Sequence, residues 1–390
     1  FTTASDTVYG STCTEVTNAV VPTVLVAAGA FTDAVSNTNS VSNTYTWTYD
    51  TADPTMTITS TAGTADGGTS AVAAFALTYT SNEATSNFVV GDITGASCTV
   101  GNFGTTSTTV YTSTCTAADG ATANVRVAAA TYTDTAGNDN TISNIFDWTY
   151  DGTGPTMTIT SATVASGSST NTGAVVLVYT SNEVTTDFAL VDITVTECVN
   201  ADFTTVNGGL IYGSTCTEDS NGQTPTVLVA VNKFNDATGN DNQASNTYTW
   251  TYDTADPTMT ITSSSVTSGA TTGTEAVALT FTSNEATTDF IAGDITATSC
   301  TLSSLTGSSS TVYTATCTPA DGATASVLVA AGTFSDAVSN TNSVSNTYSW
   351  TYDGTGPTMT ITSATVASGG TTSTAAVVLV YTSNEATDDF

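Results

Sequence analysis

Along most of this chain, apolar residues alternate with threonine or serine at a period of two. In PTMTITS (257–263) Met259 and Ile261 fall on one face and Thr260 and Thr262 on the other. The same alternation runs through AVALTFTS (276–283), TVYTATCT (311–318), ASVLVAA (325–331) and TYSWTYD (347–353), where Tyr348, Trp350 and Tyr352 are expected to point inward. Alternation over four to eight residues is the mark of a half-buried strand. Turn signals separate the runs: Ser283-Asn284-Glu285, Pro319-Ala320-Asp321-Gly322 and an Asn-rich stretch from Ser339. A short loop reaches Phe290, and Asp294-Ile295-Thr296 then leads into a strand carrying Cys300. No segment has helical periodicity. Short strands with turns every 8–12 residues predict an all-β protein built as a β-sandwich.

The unit repeats. Tyr45–Ser60 (YTWTYDTADPTMTITS) returns unchanged as Tyr248–Ser263, with near-copies at 146–161 and 348–363. Trp47, Trp148, Trp250 and Trp350 stand 101, 102 and 100 residues apart. A period near 100 is too long for a solenoid turn and fits a whole sandwich domain. The expected organisation is three complete domains at 54–151, 155–253 and 257–353. They are flanked by the C-terminal part of a domain (1–50) and the N-terminal part of another (357–390). Linkers alternate between DTADP and DGTGP, which suggests a two-domain super-repeat of about 202 residues and successive domains in an alternating rotation. Phe1 and Phe390 occupy equivalent phases of the repeat to within 14 residues, so the chain is expected to be a stretch, or one translational unit, of a longer array.

Composition narrows the function. Thirty-four acidic residues face only Arg126 and Lys233, a net charge of −32. Such a surface repels nucleic acid and anionic lipid and attracts divalent cations. No 18-residue apolar run offers a transmembrane helix. The cysteines follow the repeat as pairs 17 or 18 residues apart, Cys98–Cys115, Cys198–Cys216 and Cys300–Cys317, while Cys13 sits where a second member belongs and is expected to pair upstream of Phe1. With no histidine in the chain, zinc ligation is a poor reading. Disulfides are the better one, and they place the protein in an oxidising, extracellular setting. The absence of histidine also removes the usual general base, and the serines and threonines lie in alternating strands, so no enzyme is expected. No Asn-x-Ser/Thr sequon occurs, which excludes N-glycans and leaves O-glycans on threonine open. Cross-linking by lysine isopeptides is excluded by the single lysine.

At SNEATTDF…DIT…VYTATCTPADGATASVLVAAGTFSDAVSNTNS the chain resembles the bacterial Ig-like repeats of large surface adhesins. The motif positions are Ser283/Glu285, Phe290/Asp294, Tyr313/Pro319 and Asp336/Asn340, with the fuller Asp-x-x-Gly-Asn form at Asp134–Asn138 and Asp236–Asn240. The paired cysteines and the extra asparagine in Ser-Asn-Glu depart from that pattern. The resemblance implies an Ig-like sandwich, a role as stalk or filament, and calcium at the linkers.

Candidate calcium ligands are Asp50 and Asp53, and Asp253 and Asp256, three apart in the DTADP linkers. Glu83 or Glu285 from the end of the second strand joins them, and Asp33 or Asp236, with Asn37 or Asn240, from the penultimate loop. Oxygen ligands gathered from several loops suit Ca²⁺. The competing reading is that Asp and Asn make Asx-turns. For DGTGP, with only Asp151 or Asp353, a plain turn is the expectation. The aromatic residues of the last strand and Phe88, Phe188 and Phe290 are expected in the core, and Asp92, Asp192 and Asp294 in local backbone hydrogen bonds.

Together these features point to the repeat region of an extracellular filament or cell-surface stalk, an acidic, disulfide-pinned rod that meets copies of itself or neighbouring repeats. Two alternatives stand beside it: an adhesin whose repeats bind a glycan or protein ligand, and a subunit that polymerises by strand complementation.

Overall fold

A computed structural model describes residues 1–61, 65–85 and 87–390. In the first complete repeat the alternating segments form β1 (Met56–Ser60), β2 (Gly68–Ser70), β3 (Ala74–Ser81), β4 (Ile93–Ala96), β5 (Cys98–Thr105), β6 (Val110–Ala117), β7 (Thr122–Val127) and β8 (Phe146–Tyr150). One sheet has the order β1-β3-β6-β5 and the other β2-β8-β7-β4. This is the strand order of an immunoglobulin-type sandwich. All pairings are antiparallel except β2 with β8, which run parallel from Trp148↔Gly68 to Tyr150↔Ser70. The repeats that follow build the same layers, around Ala174–Ser181 with Ile211–Thr217 and around Val277–Ser283 with Val312–Pro319, although in the second domain the sheet of the last strand falls into two pieces, Ser169–Thr170 with Thr251–Tyr252 and Ile193–Thr196 with Thr226–Val229 and Tyr248–Thr249.

The period-two pattern decides which side chains meet. Phe75, Leu77 and Tyr79 of β3, Cys115 of β6, Val125 and Val127 of β7 and Trp148 of β8 are all buried between the sheets. Burying side chains of this size contributes roughly 1.5–3 kcal/mol each. Phe88, Phe188 and Phe290 close one end of each core. Phe88 makes edge-on contacts with Tyr111 at 4.9 Å and Tyr132 at 5.1 Å. The third aromatic of the last strand, Tyr150, is only half-buried, because it lies where the sandwich ends.

The element expected as one strand through Ile295 to Cys300 is two strands. Ile295–Thr298 belongs to one sheet and Cys300–Leu302 to the other. Ser299 between them takes a positive φ of 57°, as do Ser97 and Glu197 at the matching positions, and this left-handed residue turns the chain from one layer to the other. The three cysteine pairs are bonded, with Cα–Cα distances of 5.7 Å in each. Each bond fastens an edge strand to its neighbour, Cys98 on β5 to the fully buried Cys115 on β6.

Asparagine side chains extend the backbone ladders. Asn144 accepts from the Ile58 N–H at 2.7 Å and donates to the Ile58 carbonyl at 2.9 Å, which ties β1 across to the segment before β8. Asn246 with Ile159 and Asn346 with Ile261 repeat the arrangement.

Candidate metal sites at the domain junctions

The sandwich topology puts three chain segments at the N-terminal pole of each domain: the linker that enters it, the turn after β3 and the loop before β8. Each brings a carboxylate. Asp50, Glu83 and Asp134 place ligand oxygens within 4.8 Å of one another, and Asp151, Glu183, Asp236 and Asp253, Glu285, Asp336 do the same at the next two junctions.

The backbone holds these groups in place. Asp134 is buried and its Oδ1 accepts from the backbone N–H groups of Ala136, Gly137 and Asn138 at 2.6–2.9 Å, an Asx-type loop closed by Asn138 Nδ2 donating to Oδ2 at 2.8 Å. The same amide reaches across the junction to the Asp50 carbonyl at 3.2 Å. Asn240 does so to Asp151 at 2.8 Å and Asn340 to Asp253 at 3.0 Å. The asparagine of Ser-Asn-Glu also has a structural task. Asn82 Oδ1 accepts from the Thr55 N–H at 2.6 Å, and its amide donates to Glu83 Oε1 at 3.3 Å, fixing the linker and the glutamate together.

Electrostatics divides the carboxylates. Burial raises Glu83 above the ordinary glutamate range, and the charges of Asp50, Asp134 and Asp53 push it further against the one donor, Asn82. Glu183 and Glu285 are raised in the same way, by burial first and then by Asp151 and Asp253 respectively. Burial alone would raise Asp134 and Asp236 too, but their donors, led by Asn138 and Asn240, outweigh it and hold both below the usual range. Each cluster is therefore a set of converging anionic oxygens. All-oxygen donor sets of this kind suit a hard divalent cation. The donor set fits calcium, with the aspartates and the glutamate as the residues that would hold it.

The structure distributes the sequence-predicted ligands differently from the expectation. Asp50, Glu83, Asp253 and Glu285 lie in the clusters. Asp53 and Asp256 stand outside them and act through their charge on Glu83 and Glu285. Asp236 meets Asp151, not a DTADP aspartate, because the loop before the last strand folds back to the linker that enters its own domain. Asp33 bonds its own loop through Asn37 and Val35 and joins no such cluster among the described residues. The DGTGP linker, expected to be a plain turn, contributes Asp151 to a cluster of the same make. Asp134, Glu183 and Asp336 complete the sets and were not among the expected ligands, although each is the repeat-equivalent of one that was. The aspartates expected to bond local backbone do so, with Asp92, Asp192 and Asp294 Oδ2 accepting from the Val89, Ala189 and Ile291 N–H groups at 2.8 Å.

Alternate linkers are clamped differently. Asp119 in the turn before β7 accepts from the Gly152 N–H at 2.6 Å and from the Thr153 hydroxyl, and Asp321 treats Gly354 and Thr355 alike. At the DTADP linkers the neutral Asn18 and Asn221 accept from Thr51 and Thr254 at 2.7 Å. Where the linker carries its own second aspartate the clamp is neutral, and where the linker has glycine instead the clamp is an aspartate.

No curated protein matches the chain. Among solved structures, invasin, a bacterial integrin-binding protein, aligns at 15% identity and a TM-score of 0.31, over 80% of this chain and 62% of that one. InvD of Yersinia pseudotuberculosis aligns at 13% identity and a TM-score of 0.33, over 79% of this chain and 100% of that one. The D0–D1 domain of intimin aligns at 14% identity and a TM-score of 0.17, over 50% and 96%. The chain thus spans less than two thirds of the length of the invasin structure. The model of the bacterial Ig-like domain matches residues 50–150 and 253–352, more than half of the sequence. The chain belongs to the bacterial Ig-like domain family.

Proposed function

We propose that this chain is the spacer region of an extracellular filament or cell-surface stalk, a rod of sandwiches whose joints are stiffened by calcium. The observation that carries the reading is the construction of the junctions. Three successive linkers are held by an asparagine amide of the following domain, and each faces a trio of carboxylates drawn from the linker and two loops. A linker tied by a cation to two loops of the domain it enters loses freedom. Acidic repulsion along the chain favours extension over collapse. The disulfides support an oxidising location outside the cell. Copies of the same chain or neighbouring repeats are its expected partners.

Small-angle scattering of the whole chain in calcium and then in chelator tests this. The expected result is an elongated particle whose maximum dimension is longest and best defined with calcium. A compact particle in both conditions would overturn the rod, and an elongated one indifferent to calcium would remove the metal from it.

A further inference from the structure

Most of the charge in this protein sits in loops and at domain ends, with Arg126 and Asp147 on strands of the other sheet. The outer face of the β1-β3-β6-β5 sheet carries none in its paired positions. Across it run rows such as Thr59–Thr78–Thr112 and Ala76–Thr114. In the second complete domain the matching face carries valines among its threonines. Val176, half exposed between the fully buried Val175 and Leu177, pairs with Thr215, and Val178 pairs with Gly213. Ile211 and the 71% exposed Val199 flank them on the same face. The one acidic residue in those four strands, Asp202, lies in the bulge of the edge strand. Val176 and Val178 return 202 residues later as Val378 and Val380, whereas the first and third complete domains have Ala76 and Thr78, and Ala278 and Thr280.

We propose that this valine face is the contact by which a second copy of the chain lies alongside the first. Three features select that occupant. With 34 acidic residues against two basic ones, an approach through loops or junctions sets carboxylates against carboxylates, and this face lets two copies meet without like charges opposed. A cationic partner would be drawn to the junctions instead. A second copy carries its patches at the same 202-residue interval, so one alignment engages them all, and linked contacts gain by effective concentration. The valines and isoleucine are stiff at χ1 and lose little freedom on being covered. The contact deepens the filament reading and rests on it.

Sedimentation velocity of the whole chain over a range of concentrations, in low and high salt, is the test. Wild type should associate reversibly, and more tightly as salt shortens the screening length from about 10 Å at 0.1 M to about 3 Å at 1 M. V176A/V178T installs the residues that the first domain carries on the same fold, so folding is preserved, and it should weaken association about tenfold. V176D/V178D should abolish it. A chain that stays monomeric at every concentration and salt overturns the proposal, as does association that V176A/V178T leaves unchanged. Scattering from the monomer fraction reports separately on the rod, so either idea can fail without the other.

Discussion

Removing the Cys98–Cys115 bond is the most direct perturbation of a single domain. The bond closes a loop of 17 residues. On the chain-entropy account, opening a loop of that length releases about 3 kcal/mol of constraint on the unfolded chain. For a domain of this size each kcal/mol moves the melting temperature by roughly 4–8 °C, so the shift should be about 12–24 °C. Cys115 is fully buried and a reductant reaches it slowly, so the clean experiment is C98A/C115A in the whole chain. Scanning calorimetry should show one complete domain melting well below the other two, which keep their bonds. Hydrogen exchange should place the loosened amides in β5, the edge strand, which retains only its ladder to β6. A shift below about 5 °C would mean that the unfolded chain is already compact in this loop, and the entropic reasoning would be refuted.

Three further outcomes follow from the geometry. Replacing Glu83 with Gln should weaken calcium binding at the first junction, and wild-type binding, read by titration calorimetry, should weaken as pH falls through the raised range of the glutamates, because the ion needs them deprotonated. Asn246→Ala removes both bonds to Ile159 and should cost about 1–2 kcal/mol in denaturant unfolding; an unchanged midpoint would show that water replaces them. Glu218 is buried, accepts from the Trp250 indole and has its other oxygen unpartnered, and burial raises it above the usual range against that bond. A carboxyl raised on folding contributes stability that is full below its unfolded value and is lost as pH climbs through its folded one. The second domain should therefore lose melting temperature with rising pH, and E218Q should flatten that slope.

Much of the fold is legible in the alternation, because a sandwich buries every second residue and leaves threonine on the rest. Met56 and Ile58 are buried while Thr57 and Thr59 are exposed, as the pattern requires. The cysteine pairs were legible from their recurrence. The break at Ser97, Glu197 and Ser299 was not, since a single residue at positive φ has no periodicity to betray it and serine and glutamate are not the residues that usually adopt it. The ligand sets were half legible. The linker aspartates and turn glutamates stand close in sequence, but the partner loop lies about 50 residues further on, and only the strand order says that it returns to the entering linker. Glu218 was hidden for a different reason: the alternation puts it on the inward phase with Tyr212, Ser214 and Cys216, but nothing in the sequence says that the Trp250 indole meets its carboxyl there.

The parallel pairing of β2 with β8 has a mechanical meaning. A pull on the two ends of a domain drags these strands in opposite directions along their length. The hydrogen bonds from Gly68–Ser70 to Trp148–Tyr150 then bear the load together in shear and cannot open one by one like a zipper. Once that patch yields, the residues between Cys98 and Cys115 stay locked behind their bond and add nothing to the released length. A sandwich pulled in this way yields over a limited length and keeps part of its chain in reserve.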